Sequence, residues 1–469
     1  MKTSFLLALS FFMITLKTAG QPLPVQIDKR VEILSIVFRL AGNFEYNQND
    51  ATKYIADINA HFGKFKNDTL INYATYLGDE LSIGFDAVMF MAVNLKLNNS
   101  VFTLQNNWKQ DLDKRWTKKA ALQFVKLLNQ FYTKSKAENF FLKEANYYDK
   151  VTKAFDQVLL TFNQPWYYSY YGIKPKDKFN IIIGCSNGGA NYGPGITLSK
   201  DIRQVFAIIG SSSFNNDGNP IFSEERNLPT VVHEFNHSFI NPLLHKYKNN
   251  IILKSSMQKI LDTMRSEMER QAYAQWETVL NESIVRASVV RYLLANTINK
   301  QIAENEVKKQ VNRGWLWTRE LVSLLEKYEG DRATYPTINE FYPAIIEFFK
   351  FTADSISLIK LKHESTLPTV ISIEPFFNNA QNVAPDTKEM TINFSEPLLG
   401  KGASINYGAL GKENYPVKSV IGYINNNRSV KLELALKPDT EYELILTGEA
   451  FKNVEGTPLK AYSIKFRTK

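Results

Sequence analysis

The chain has 469 residues, too many for one ordinary hydrophobic core, so two or three domains are expected. A net charge of +9 favours anionic partners, yet no sustained basic run with interleaved aromatics marks a nucleic-acid surface, and the excess reads as solvated lysines. The single cysteine, Cys185, excludes an internal disulfide, so stability has to come from packed cores, with or without a bound metal.

Residues 1–20 combine a basic start (Met1-Lys2-Thr3), an apolar run over 5–16 and the small-residue end Thr18-Ala19-Gly20, which predicts a secretory signal peptide leaving Gln21 first. The run is too short for a stable membrane span, no other stretch approaches about 18 consecutive apolar residues, and no cysteine follows it to carry a lipid. An exported chain with no transmembrane segment is expected: periplasmic, surface-associated or extracellular.

Over 21–178 the pattern is mainly helical, with Val31, Leu34, Val37 and Phe38, and again Leu122, Val125 and Leu128, at helical spacing. This predicts an N-terminal helical lobe. Its aromatic peak, Trp166-Tyr167-Tyr168-Ser169-Tyr170-Tyr171, is assigned to packing rather than to a peptide or glycan cleft, because aromatics dominate core energetics.

The next region, 179–353, opens with β-branched runs at 181–183 and 205–209 that read as strands. Between them lies a glycine-rich stretch, 187–195. It lacks the Lys-Ser/Thr of a phosphate loop and the spacing of a dinucleotide fingerprint, and reads as a turn system.

His233-Glu234-Phe235-Asn236-His237 follows, an HExxH pentapeptide. On a helix the i, i+4 spacing stacks both imidazoles on one face, where they can hold a zinc ion. Glu234 then lies beside the metal, placed to take a proton from water activated there. Pro229 suits the first turn of this helix and Pro242 its end, predicting one buried helix of about three turns.

Catalytic zinc usually takes three protein ligands, so a third donor is needed downstream. His245 sits beside Lys246 in what reads as an exposed basic turn, and Ile240 and Leu243 stand where a metzincin has Gly and His. Glu282 is preferred. Val279 lies three positions before it and Val285, Val289 and Leu293 lie three, seven and eleven after, so this carboxylate falls in line with an apolar stripe and calls for a compensating proton or cation. Zinc would supply one. Arg286, at i+4, would supply another as an ordinary ion pair. Glu267, Glu269 and Glu277 are weaker candidates, in more polar surroundings or off the stripe.

Helical patterning resumes through 255–296, 315–328 and 340–351, and a linker is expected over 354–367. From 368 to 469 about seven short strand-like runs, separated by Gly, Asn, Asp and Pro, predict a β-sandwich. His363 and His61 have no spaced partner, and His61 reads as structural.

The segment HEFNHSFINP over 233–242, with Asn281-Glu282-Ser283-Ile284-Val285-Arg286-Ala287, resembles the gluzincin arrangement and a family of secreted bacterial zincin-like proteins known as a domain of unknown function, over about residues 28–350. The resemblance implies His233, His237 and Glu282 as ligands of one zinc and Glu234 as general base. It also implies that one of the strands ahead of the HExxH helix is a sheet edge able to align a peptide. Residues 391–398 (TINFSEPL) resemble a bacterial Ig-like domain, although Lys452-Asn453-Val454-Glu455-Gly456 departs from that domain's usual Asp-containing turn.

The expected fold is therefore multidomain: a mainly α, zincin-like α+β catalytic region, then an all-β Ig-like sandwich. The expected function is that of a secreted zinc metallopeptidase acting on peptides or proteins, with Arg286 and Tyr292 available to stabilise the oxyanion. Two other readings are a non-catalytic zincin-like binding protein attached through its Ig-like domain to a cell surface or glycan, and a glycan-binding protein using the 166–171 aromatics.

Overall fold

The computed structural model describes residues 23–48, 51–106, 108–172, 177–199 and 202–469. The expected signal peptide lies outside the described residues. The region up to Glu364 is rich in helix and the C-terminal region is all β. No described helix is long and apolar enough to cross a membrane.

The chain packs as two compact units. One holds the residues up to Pro242 with Tyr292–Asn299 and Asp331–Glu340; the other holds Leu243–Arg291, Lys300–Gly330 and Phe341–Lys469. These units do not coincide with the segments 21–178 and 179–353; their boundaries at 242/243, 291/292 and 340/341 fall inside continuous helices.

In the first unit, β1 (Val25–Gln26) precedes α1 (Lys29–Ala41), α2 (Thr52–Phe62), α3 (Thr69–Leu81) and α4 (Asp86–Asn94). The hairpin β2 (Leu95–Asn98) and β3 (Val101–Leu104) leads to α5 (Trp108–Asp111), α6 (Lys118–Ser135), α7 (Ala137–Lys143), α8 (Ala145–Asp156) and α9 (Gln164–Tyr171). α1 begins where the Asp28 carboxylate accepts from Arg30 N–H and ends at left-handed Gly42, and Val31, Leu34, Val37 and Phe38 are all buried. In α6, Val125 and Leu128 are buried, whereas Leu122, three residues before Val125, is exposed. His61 is structural: Nε2 lies 2.8 Å from the Ser135 carbonyl and the ring packs on Phe62 and Phe140.

The strands at 181–183 and 205–209 are the centres of β4 (Asp177–Gly184) and β6 (Ile202–Gly210). They run parallel, with Ile181 opposite Ala207, and Ile181, Ile182, Ile183, Ile208 and Ile209 are fully buried, as two-sided burial of parallel strands requires. β5 (Gly195–Ser199), at the end of the glycine-rich stretch, pairs antiparallel to β6 and is one edge of the sheet, whose order is β1-β4-β6-β5. The stretch read as turns thus also supplies an edge strand. A Cβ at Gly210 would sit 2.3 Å from the Gly188 carbonyl, so the return of the glycine loop against β6 requires that glycine.

α1 also carries the most enclosed carboxylate of this unit. Glu32 is fully buried and accepts from Cys185 N–H at 2.7 Å, Ser186 Oγ at 2.8 Å and Tyr54 Oη at 2.9 Å. Burial pushes its pKa up to about 7 against the pull of those donors.

α10 (Glu224–Tyr247) spans 24 residues and runs through both Pro229 and Pro242, where a shorter helix between them is predicted. Each proline removes one backbone bond, to the Glu225 and Ser238 carbonyls, at a cost of about 3 kcal/mol. Burial on either side of both outweighs that cost: Leu228, Val231, Val232, Phe235, Phe239, Ile240 and Leu244 form one apolar face.

The helices α11 (Ile251–Thr263), α12 (Arg265–Glu269), α13 (Trp276–Asn296), α14 (Gln301–Asn312), α15 (Thr318–Gly330) and α16 (Ile338–Glu364) follow. α16 continues through 354–364, much of the stretch expected as linker, so the change to strand falls at Ser365–Leu367.

The C-terminal region is a pair of four-stranded sheets. One has the order β11 (Val417–Ile424), β12 (Ser429–Leu434), β9 (Glu389–Phe394), β7 (Val370–Glu374); the other has β10 (Ile405–Tyr407), β13 (Glu441–Leu446), β14 (Tyr462–Thr468), β8 (Ala380–Val383). Alternation along the strands sends Met390, Ile392, Phe394, Leu432, Leu444 and Ile464 into a shared core. In the turn after Phe451, the Asn453 side-chain oxygen accepts from Glu455 and Thr457 N–H at 3.0 and 2.9 Å, doing with an amide what a turn aspartate does.

Candidate functional site

α10 is buried on one face and reachable on the other: Phe235 and Asn236 are buried, while His233, Glu234 and His237 are half-buried. The buried face is held by α9. Tyr171 Oη donates to Asn236 Oδ1 at 2.9 Å, Tyr167 Oη donates to the Val232 carbonyl at 3.4 Å, and the Tyr171 ring stacks on Phe239 at 4.5 Å. Trp166, Tyr167, Tyr170 and Tyr171 are all buried, so the aromatic segment packs and braces this helix rather than lining a cleft.

On the open face the two Nε2 atoms of His233 and His237 stand 3.1 Å apart. For nitrogens 2.0–2.1 Å from a tetrahedral zinc the separation expected is roughly 3.3 Å. His237 Nδ1 lies 3.1 Å from Asn241 Oδ1; a proton on Nδ1 donated there leaves Nε2 with its lone pair forward. Asn241 was not among the residues read from sequence, although its i+4 position after His237 is the available signal.

Glu282 is buried on α13, and His233, His237 and Glu282 each offer a donor atom within 4.8 Å of the others. Two imidazole nitrogens and a carboxylate oxygen at this spacing fit a divalent ion. His245 is exposed on the last turn of α10 and is not part of this cluster; Glu267, Glu269 and Glu277 are not part of it either.

Arg286 answers the buried carboxylate. Its Nη2 donates to Glu282 Oε2 at 2.7 Å and to Tyr273 Oη at 3.0 Å, Nη1 donates to Gln310 Oε1 at 2.7 Å, and the guanidinium lies 4.6 Å from the Trp315 ring centre. Burial is the largest influence and works against the Arg286 charge, but Glu282, Tyr273 and Glu306 together outweigh it and hold the guanidinium above its ordinary range. The guanidinium is thereby held by Glu282, Tyr273 and Gln310. Gln310, Tyr273 and Trp315 give no spacing signal, since they come from distant parts of the chain.

Tyr292 is not brought to this cluster. It is fully buried among Phe162, Trp166 and Tyr167, its hydroxyl accepts from Asn163 N–H at 2.5 Å, and it donates to the Thr161 carbonyl at 3.5 Å. A buried phenol so engaged is a packing residue, which corrects the oxyanion role considered for it.

Ahead of α10, the backbone at Gly193 approaches Glu234 so closely that a Cβ there would sit 2.7 Å from Glu234 Oε2. Tyr192 pairs with Ile208 in both directions and Phe206 N–H donates to the Pro194 carbonyl, so the edge strand of the sheet extends back from β5 to this point. A side chain here would press on the movable end of Glu234, a contact invisible in a stretch with so many glycines.

The fold and this cluster define a helix-rich protein with a potential metal-binding triad, joined to a β-sandwich. The chain belongs to the family described as a domain of unknown function (DUF4932), which matches residues 23–348, and residues 364–468 match a bacterial Ig-like domain. No curated protein matches the chain in sequence. Among solved structures, surface layer protein SbsC, domains 1–6, is 15% identical over 54% of this chain and 34% of that one, with a TM-score of 0.16. The S-layer protein rSbsC(31-844) is 11% identical over 86% of this chain and 45% of that one, with a TM-score of 0.17. The chain thus spans less than half the length of either, and likeness at this level carries no argument about fold or role.

Proposed function

We propose that this protein is an exported metal-dependent peptidase with a zincin-like site. His233, His237 and Glu282 would hold one divalent ion, zinc being the one best suited to two imidazoles and a carboxylate. When bound, the ion would lower the pKa of water and polarise the scissile carbonyl. Glu234, half-buried beside the two histidines, would take the proton of the attacking water and return it to the leaving amine. Arg286 would fix the Glu282 carboxylate, and Asn241 the tautomer of His237. The sheet edge that begins at Gly193 would pair with an extended peptide, bringing a backbone carbonyl past Glu234.

The observation that carries this reading is the convergence of the three donors on the face of an HExxH helix that still presents its glutamate. A purely structural metal has no use for that base. The test is Glu234→Gln assayed on a peptide library in the presence of zinc. Turnover should fall by about 10²–10⁴-fold, the contribution of a general base, with metal content unchanged. Activity equal to that of the native chain would remove Glu234 from the mechanism. The Ig-like sandwich is read as a docking or spacing module at the cell surface, on fold analogy.

A further inference from the structure

A cavity of about 1340 Å³ opens where the ends of α12, α14 and α16 meet the sandwich, and no member of the His233, His237, Glu282 cluster lines it. Its walls are tied together across that junction: Asn312 Nδ2 donates to the Gly456 carbonyl at 3.0 Å, Lys460 pairs with Glu364 at 3.3 Å and Lys308 with Glu455 at 3.8 Å. Lys360 is also neutralised, by Glu267 at 3.4 Å.

Three other cations on these walls have no carboxylate partner among the described residues. Arg270 donates only to Ser266 Oγ, at 2.9 Å, while Arg313 and Lys452 project from the end of α14 and from the turn after Phe451. Arg313 is solvent-exposed, yet surrounding protein holds its guanidinium below the ordinary range, a combination expected on the wall of a deep cleft. His363, lone in the sequence, lines the same space.

We infer that this cavity binds an acidic oligosaccharide, its carboxylates reaching the unpaired cations and its sugar rings the amide and aromatic groups between them. Guanidinium groups recognise carboxylates bidentately, and cations on three separate elements suit charges spaced along a chain better than a single ion. The volume exceeds the 300–1,000 Å³ or so of ordinary small-molecule sites, leaving room for several sugar units. Tyr407 supplies a flat platform: it is 51% exposed and held edge-on by Tyr415, with ring centres 4.9 Å apart. Such a ring can cover the apolar face of a pyranose while Asn406, also on the walls, meets its hydroxyls.

The test is calorimetric titration of the whole chain with a galacturonate trisaccharide, its fully methyl-esterified form and a triglutamate peptide, at low and at physiological salt. Binding of the acidic sugar is expected to weaken at least tenfold on esterification and again at least tenfold in Arg313→Gln. Lys452→Gln should weaken it too, and serves if Arg313→Gln does not fold. His233→Ala should bind as the native chain does, which separates this site from the proposed peptidase centre. No binding of the sugar, equal binding of the ester, equal or tighter binding of the peptide, or indifference to both substitutions would overturn the inference.

Discussion

Two buried carboxylates, one on α1 and one on α13, show how differently the same group is accommodated within this chain. Glu32 is met only by neutral donors, a backbone amide and two hydroxyls, and burial raises its pKa to about 7. Glu282 is met by a full positive charge, Arg286, itself fastened by Gln310, Tyr273 and Trp315. A metal ligand has to be an anion when the ion arrives, and a neighbouring cation favours that form where neutral donors do not suffice. Burial alone therefore does not fix the charge a carboxylate carries; what meets it does, and under the proposed function it is Glu282 that would serve as a ligand.

The largest effect expected from breaking this contrast is at Arg286. Replacing it with Met leaves Glu282 buried without its cation, and the chain should lose about 3–5 kcal/mol of stability in metal-free urea unfolding. Added zinc should restore part of that loss, because a bound ion is a second counter-charge. An equal loss with and without zinc would show that Glu282 only packs.

At Glu32 the effect depends on pH. The folded-state pKa lies above the ordinary 4.5, so the neutral acid stabilises the fold fully below about pH 4.5, and that contribution is lost as pH rises through about 7. The loss is on the order of 3 kcal/mol. Glu32→Gln, compared with the native chain by melting from pH 4 to 8, should flatten this part of the pH profile. Parallel profiles would contradict the assignment of a neutral buried acid.

The smallest effect is at Asn241. Asn241→Ala leaves all three donors in place and removes only the partner of His237 Nδ1, so metal affinity should fall by about 10–100-fold without loss of fold. Competition with a chromogenic chelator measures this. Unchanged affinity would mean that the imidazole is oriented by its own packing.

Much of this was legible from local pattern. The period of α1, the β-branched centres of β4 and β6, the alternation in the sandwich and the spacing of His233, Glu234 and His237 each belong to one short stretch. Glu282 was legible as a polar residue in an apolar stripe. Helix ends were less so: α10 passes two prolines because burial on both sides outweighs two missing bonds, and α16 runs on through 354–364. Burial by distant residues leaves no local mark, which is why spacing alone does not separate exposed Leu122 from buried Val125 and Leu128, or reveal the packing of Tyr292. The same reason hid Gly193, Gln310 and Trp315, whose roles exist only through contacts made in the folded chain.

The most direct test is the metal content of purified protein after zinc is supplied and excess removed, measured by elemental mass spectrometry beside His237→Ala and Glu282→Ala. About one zinc per chain in the native protein, lost from both variants, is the predicted result. No metal in the native chain, or metal retained in both variants, would contradict the triad and with it the peptidase reading.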